Sequence, residues 1–244
     1  MQRLTYVTVL ATFLFFIGQA AAAEPKVPEN VLVKPTFLLA NGSWSGGCAF
    51  LLRVPDRPET LLVTCHHLFG PATGQEAQMS SDDIAKNVCG VVGLSMQDRK
   101  TIVVAHTYLR GAGGARAIDN AGAEKDVAAF IVDPAAKPAP APAALELAAQ
   151  MPRLGETVFV FARLRSQSDP KLYAATVAAV ANNQLLYTFA DKSIDLRGTS
   201  GAPVLDARGH VVGMNVGGGE ENGQLLGIAN PADALRAAVS PASK

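Results

Sequence analysis

Four prolines fall between residues 134 and 142, in the stretch PAAKPAPAP. Proline fixes φ and donates no backbone hydrogen bond, so this stretch is barred from a sheet interior and predicts an extended linker. On either side the chain is written in short apolar segments broken by turns. Before the linker these are 31–39, 48–54, 60–64, 88–96, 101–106 and 126–132. After it they are 156–163, 173–180, 184–189, 202–206, 210–215 and 224–229. The stretch 42–47, GSWSGG, is expected as a turn, and Asp206-Ala207-Arg208-Gly209 as a hairpin turn. Few segments carry helical spacing, apart from the tail at 231–239 with Asn230 as its expected N-cap. Two runs of short strands predict an all-β chain folded as two stacked barrels or a sandwich.

A length of 244 residues allows one or two domains, and an apolar fraction of 49% supplies a core. Lys plus Arg equal Asp plus Glu at 21 each, which excludes a protein built to coat nucleic acid or an anionic membrane. Function is therefore sought in a site.

Residues 1–23 read as a secretory signal peptide: Arg3, an apolar run from Tyr6 to Ile17, then the small residues Ala20–Ala23 before Glu24. The run is short of the ~20 residues a spanning helix needs, so no stable membrane insertion is expected after cleavage. The product is expected to be exported, periplasmic or extracellular. Export sets an oxidising context in which a disulfide is expected among Cys48, Cys65 and Cys89, with one thiol left over. Both Cys48–Cys65 and Cys65–Cys89 pairings are open. No C-x-x-C exists, and the Cys65-His66-His67 run lacks a further ligand at metal-binding spacing, so neither metal nor cofactor is expected.

Three stretches carry chemistry: LVTCHHLF at 62–69, EKDVAAF at 124–130 and LRGTSGAPV at 196–204. A serine hydroxyl needs a base to take its proton, neutral imidazole is such a base, and a buried carboxylate holds its tautomer. Glycines beside Ser200 let the N–H groups of Gly198 and Ser200 point at one spot, an oxyanion hole. Asp119 and Asp133 are rivals to Asp126, expected as solvated turn residues.

The three blocks, in the order His, Asp, Ser, resemble the trypsin/chymotrypsin-like serine peptidases, and most resemble exported bacterial members of HtrA or glutamyl-endopeptidase type. Residues 64–68 resemble the family's T-x-x-H block, 126–132 its D-[LIV]-A block and 198–204 its G-[DN]-S-G-[GA]-P block. HVVGMNVG at 210–217 resembles the strand that follows. The resemblance covers about residues 30–230. It implies two six-stranded antiparallel β-barrels of chymotrypsin type with a short C-terminal helix. It also implies His67 as general base, Asp126 as its orienter, Ser200 as nucleophile and a polypeptide substrate. The implied layout is an N-terminal barrel at 28–135, the Ala/Pro-rich linker at 136–152 and a C-terminal barrel at 153–240. In this register His66 is structural. A monomer is expected.

Two departures stand out. Thr199 replaces the acidic residue that pairs with a new N-terminus in trypsin, so trypsin-style activation is not expected. Leu68 replaces the cysteine that follows the catalytic histidine. The resemblance further puts the primary pocket between residues 193–197 and 215–219, with Asp195, Arg197, Asn215, Gly217 and Gly218 as candidates. Gly217-Gly218-Gly219 also offers backbone for a substrate strand. The alternatives are a catalytically silent binding protein on the same fold and an esterase-like hydrolase using the same triad.

Overall fold

The structure is a computed structural model and describes residues 22–109, 125–136, 143–181 and 183–240. Residues 1–21 of the expected signal peptide, Asp119 and linker residues 137–142 lie outside the described residues.

The first half forms β1 (Leu32–Leu39), β2 (Gly42–Ser45), β3 (Ala49–Arg53), β4 (Leu61–Thr64), α1 (Ser81–Asn87), β5 (Val88–Ser95), β6 (Thr101–Tyr108) and β7 (Ala128–Val132). Six of these strands close a barrel in the order β1-β5-β6-β7-β4-β3, sealed where Leu32 pairs with Phe50. β1 alternates between buried and part-buried residues along much of its length, whereas β4 is buried throughout. Inside, Phe37, Phe69 and Phe130 pack with Trp44 and Tyr108, ring centroids 4.4–6.0 Å apart.

The second half forms β8 (Leu145–Glu146), β9 (Thr157–Ala162), β10 (Lys171–Ala181), β11 (Gln184–Phe189), β12 (Pro203–Leu205), β13 (Val211–Glu221), β14 (Gln224–Pro231) and α2 (Ala232–Val239). Its barrel closes as β10-β11-β14-β13-β12-β9. The two closed six-stranded antiparallel barrels and the short C-terminal helix agree with the expected chymotrypsin-like architecture.

Four local expectations need correction. Residues 42–45 are not a turn but strand β2, which pairs with β1 from Leu39↔Gly42 to Thr36↔Ser45. Helix α1 is absent from the strand reading; it buries only Ile84, so it has no helical periodicity to read. Its start is nonetheless written as a capping box, with Ser80 and Asp83 satisfying each other's backbone N–H groups. The linker reading overlooks β8, within 136–152, which joins the first barrel in parallel beside β3. The N-cap of α2 is Pro231, not Asn230, which stays in β14.

Candidate active site

β4 ends at Thr64, and His66–Phe69 form a 3-10 turn, so the two histidines open a turn and do not extend the strand. Trp44 Nε1 and Thr73 Oγ1 both donate to Leu68 O, at 3.0 and 2.9 Å, fixing that turn from outside. Phe69 anchors it in the aromatic core. The turn splits the histidines. His66 is buried beside Gln78, whose Nε2 donates to His66 O at 3.0 Å. His67 faces Asp126, which lies just ahead of β7 and is buried.

His67 Nδ1 lies 2.6 Å from Asp126 Oδ2, and the His67 backbone N–H donates to Asp126 Oδ1 at 2.7 Å. A neutral imidazole donating from Nδ1 presents Nε2 as an acceptor. The second barrel reaches this carboxylate's own backbone: Asn230 Nδ2 donates to Asp126 O at 2.9 Å. Asp133 belongs elsewhere, paired with exposed His106 at 3.2 Å.

Ser200 sits in the loop between β11 and β12. Thr199 N–H and Oγ1 both donate to Leu196 O, at 3.1 and 2.6 Å, and Ala202 N–H donates to Thr199 O. Gly201 N–H donates to Asn215 O at 2.8 Å, and Cys48 N–H to Ser200 O at 2.7 Å. Among the described residues the N–H groups of Gly198 and Ser200 have no protein acceptor. Two glycines make this loop possible. Gly198 has φ +83° and Gly201 φ +87°, and a Cβ on Gly201 would lie 2.0 Å from Cys48 O. Behind the loop, Tyr187 Oη donates to Asn215 Oδ1 at 2.5 Å, and Asn215 Nδ2 to Thr199 Oγ1 at 2.9 Å. The Ser200 hydroxyl donates to Val216 O at 3.2 Å, and its residue lines one cleft of about 300 Å³ with His67.

The remaining candidates separate. Arg197 binds Asp195 through Nε and Nη2, at 2.8 and 2.7 Å to its two oxygens. These hydrogen bonds hold the Asp195 carboxyl at a pKa of about 2. Arg197 lines the cleft with Ser200, whereas Asn215 is fully buried and serves from behind the loop. A side chain on Gly217 would meet open space, but one on Gly218 would strike Leu226 O and Leu196.

All three thiols are free, so the expected disulfide is not formed. Cys89 is exposed, while Cys48 and Cys65 are buried and spent on carbonyls: Cys48 Sγ donates to Gly198 O at 3.5 Å and Cys65 Sγ to Asn215 O at 3.4 Å. Burial pushes the Cys48 thiol up to about 11 and raises Cys65 well above its ordinary value. Cys65, His67 and Asp126 do bring donor atoms within 4.8 Å of one another. Of the three, His67 is bonded to Asp126, while the Cys65 thiol, held protonated by burial, donates to Asn215 O.

Tyr187 and Asn230, which steady the two halves of the site, are missed by motif reading. Each looks like an ordinary strand residue, and its partner lies 28 or 104 positions away.

The model of the trypsin-like peptidase domain matches residues 49–214. No curated protein matches the chain. Among solved structures, the Rv3671c protease of M. tuberculosis in its active form is 16% identical, with TM-score 0.52, over 96% of this chain and 97% of that one. The serine endoprotease from Yersinia pestis is 15% identical, with TM-score 0.53, over 85% of this chain and 61% of that one. The human pathogenic astrovirus serine protease is 19% identical, with TM-score 0.50, over 87% and 95%. At these identities the structural likeness speaks for the fold, and the domain match for the family. The chain belongs to the trypsin-like peptidase family and is by class a serine endopeptidase.

Proposed function

We propose that the protein is an exported endopeptidase that hydrolyses polypeptides through an acyl-enzyme on Ser200. The observation that carries this reading is the doubly bonded His67–Asp126 pair, whose imidazole shares a cleft with Ser200. His67 Nε2 takes the proton as Ser200 Oγ attacks the scissile carbonyl, and Asp126 stabilises the imidazolium. The oxyanion forms against the N–H groups of Gly198 and Ser200, worth about 3–4 kcal/mol per donor. His67 then gives the proton to the leaving amine as the C–N bond breaks. Water, deprotonated by the same imidazole, attacks the ester and releases Ser200. No step needs a cofactor.

The acyl half of the substrate lies along β13. β12 pairs with β13 only as far as Met214, so Gly217–Gly219 keep β14 on one side and present a strand edge on the other. Export rests on the 1–23 segment.

Fluorophosphonate labelling of the purified chain, read by peptide mass spectrometry, tests the reading. A single adduct on Ser200, lost in both His67→Ala and Ser200→Ala, is expected. A folded protein that takes no adduct is a binding protein on this fold. An adduct with turnover of small esters but not peptides makes it an esterase.

A further inference from the structure

The cleft shared by His67 and Ser200 does not run toward β13. No residue of β13 lines it. It extends the other way, over the β2–β3 connection at Gly46–Cys48 and toward the chain leaving β9. A substrate whose acyl half follows Gly217–Gly219 therefore sends its leaving-group half into this cleft.

The cleft is lined by Lys34, Arg163, Arg165 and Arg197, and by no carboxylate. Arg197 is already matched to Asp195. Among the described residues the other three have no acidic partner. A row of solvated cations on an open face is unremarkable, but these are not all of that kind. Lys34 is part-buried on β1, donating to Gly47 O at 3.1 Å. Arg163 is part-buried too. One of its Nη1 hydrogens goes to Gln167 O at 3.2 Å, while its Nε is buried with no acceptor among the described residues. Burial lowers the Lys34 pKa, and the charges of Arg99, Arg163 and Arg165 push it the same way. Like charges drawn together out of water cost free energy until an anion joins them.

We propose that this protein cleaves polypeptides that carry an acidic side chain just beyond the scissile bond, on the leaving-group side, where Lys34, Arg163 and Arg165 receive it. The assignment rests on the peptidase reading above. It places specificity in the departing half of the substrate, and leaves the acyl half to be held mainly by its backbone on the glycine edge.

Digestion of a proteome-derived peptide library, with both ends of each cleaved bond identified by mass spectrometry, tests it. Asp and Glu enriched within the first three or so positions after the bond, with Lys and Arg depleted, are expected. On an internally quenched peptide built from one cleaved sequence, replacing Gln by Glu at the preferred position is expected to raise kcat/KM about tenfold or more, the scale of one charge-assisted hydrogen bond. The gain is expected to shrink in high salt and to collapse in Lys34→Gln/Arg163→Gln. Because that pair is part-buried, exposed Arg165→Gln supplies a second variant, expected to lower the gain without loss of fold. Cleavage with no acidic enrichment, or a Glu preference unchanged in both variants, overturns the proposal while Ser200 labelling keeps the peptidase reading standing. Absence of both labelling and cleavage overturns the two together.

Discussion

His67 addresses both oxygens of Asp126, one through its ring at 2.6 Å and the other through its own backbone N–H at 2.7 Å. The carboxylate is thus clamped by the residue it would orient in the proposed triad. Its position does not depend on side-chain packing alone: rotation of the carboxylate breaks two bonds at once, whereas rotation of the imidazole leaves the backbone bond in place.

Asp126→Asn removes the charge while keeping the shape. An amide facing Nδ1 favours the tautomer with its proton on Nε2, which cannot accept from Ser200. A fall in kcat of about 10⁴-fold with an unchanged melting profile is expected, measured on the best peptide substrate. A drop under tenfold removes Asp126 from the proposed triad.

Gly201→Ala is expected to be far more damaging than its size suggests. The added carbon needs φ +87° and collides with Cys48 O, so the loop must move, and Ser200 with it. A displacement near 1 Å at a nucleophile costs about 100-fold, and a loss of at least that size in kcat/KM is expected. Gly42→Ala, where an added carbon meets open space, is the control and should be silent.

Tyr187→Phe leaves Asn215 Oδ1 buried without its donor. A loss of about 1–3 kcal/mol in stability is expected by denaturant titration. The Asn215–Thr199 bond remains, so the folded fraction should retain most of its turnover. A variant as stable as the parent would show that this hydroxyl carries no weight in the loop.

The thiols give a pH prediction. With Cys48 held protonated to about 11, roughly one molecule in a thousand carries its thiolate at pH 8. Alkylation of the native protein is expected at exposed Cys89 alone, and at all three cysteines in denaturant. In the unfolded chain Cys48 ionises near the ordinary 9.0. Between that pH and about 11 the folded state holds more protons, so stability falls as pH rises, by up to about 1.4 kcal/mol per pH unit. Cys65 and Tyr187, also shifted upward by burial, steepen the fall. Cys48→Ala is expected to flatten the alkaline limb of a melting-temperature profile.

What the sequence made legible was set by distance along the chain. His67, Asp126 and Ser200 stand in local words, a strand end, a strand start and a glycine-flanked serine; each is weak alone, and their order along the chain carries the reading. The strands were readable because burial alternates or persists over several residues. β2 was not, because three of its four residues are exposed and its glycine content spells a turn. The bonds from Asn230 to Asp126 and from Tyr187 to Asn215 leave no local trace. Nor does the cation cleft, whose residues come from β1 and from the chain after β9. The expected disulfide followed from compartment alone; the fold instead gives Cys48 and Cys65 to carbonyls in the second half.

The contacts between the halves meet at the reacting groups themselves. Cys48 N–H holds Ser200 O, Gly201 presses on Cys48 O, and Asn230 grips Asp126. In the proposed mechanism neither half owns a finished site, so hydrolytic competence would arrive only when the two halves join, and the appearance of activity would serve as a clock for that joining.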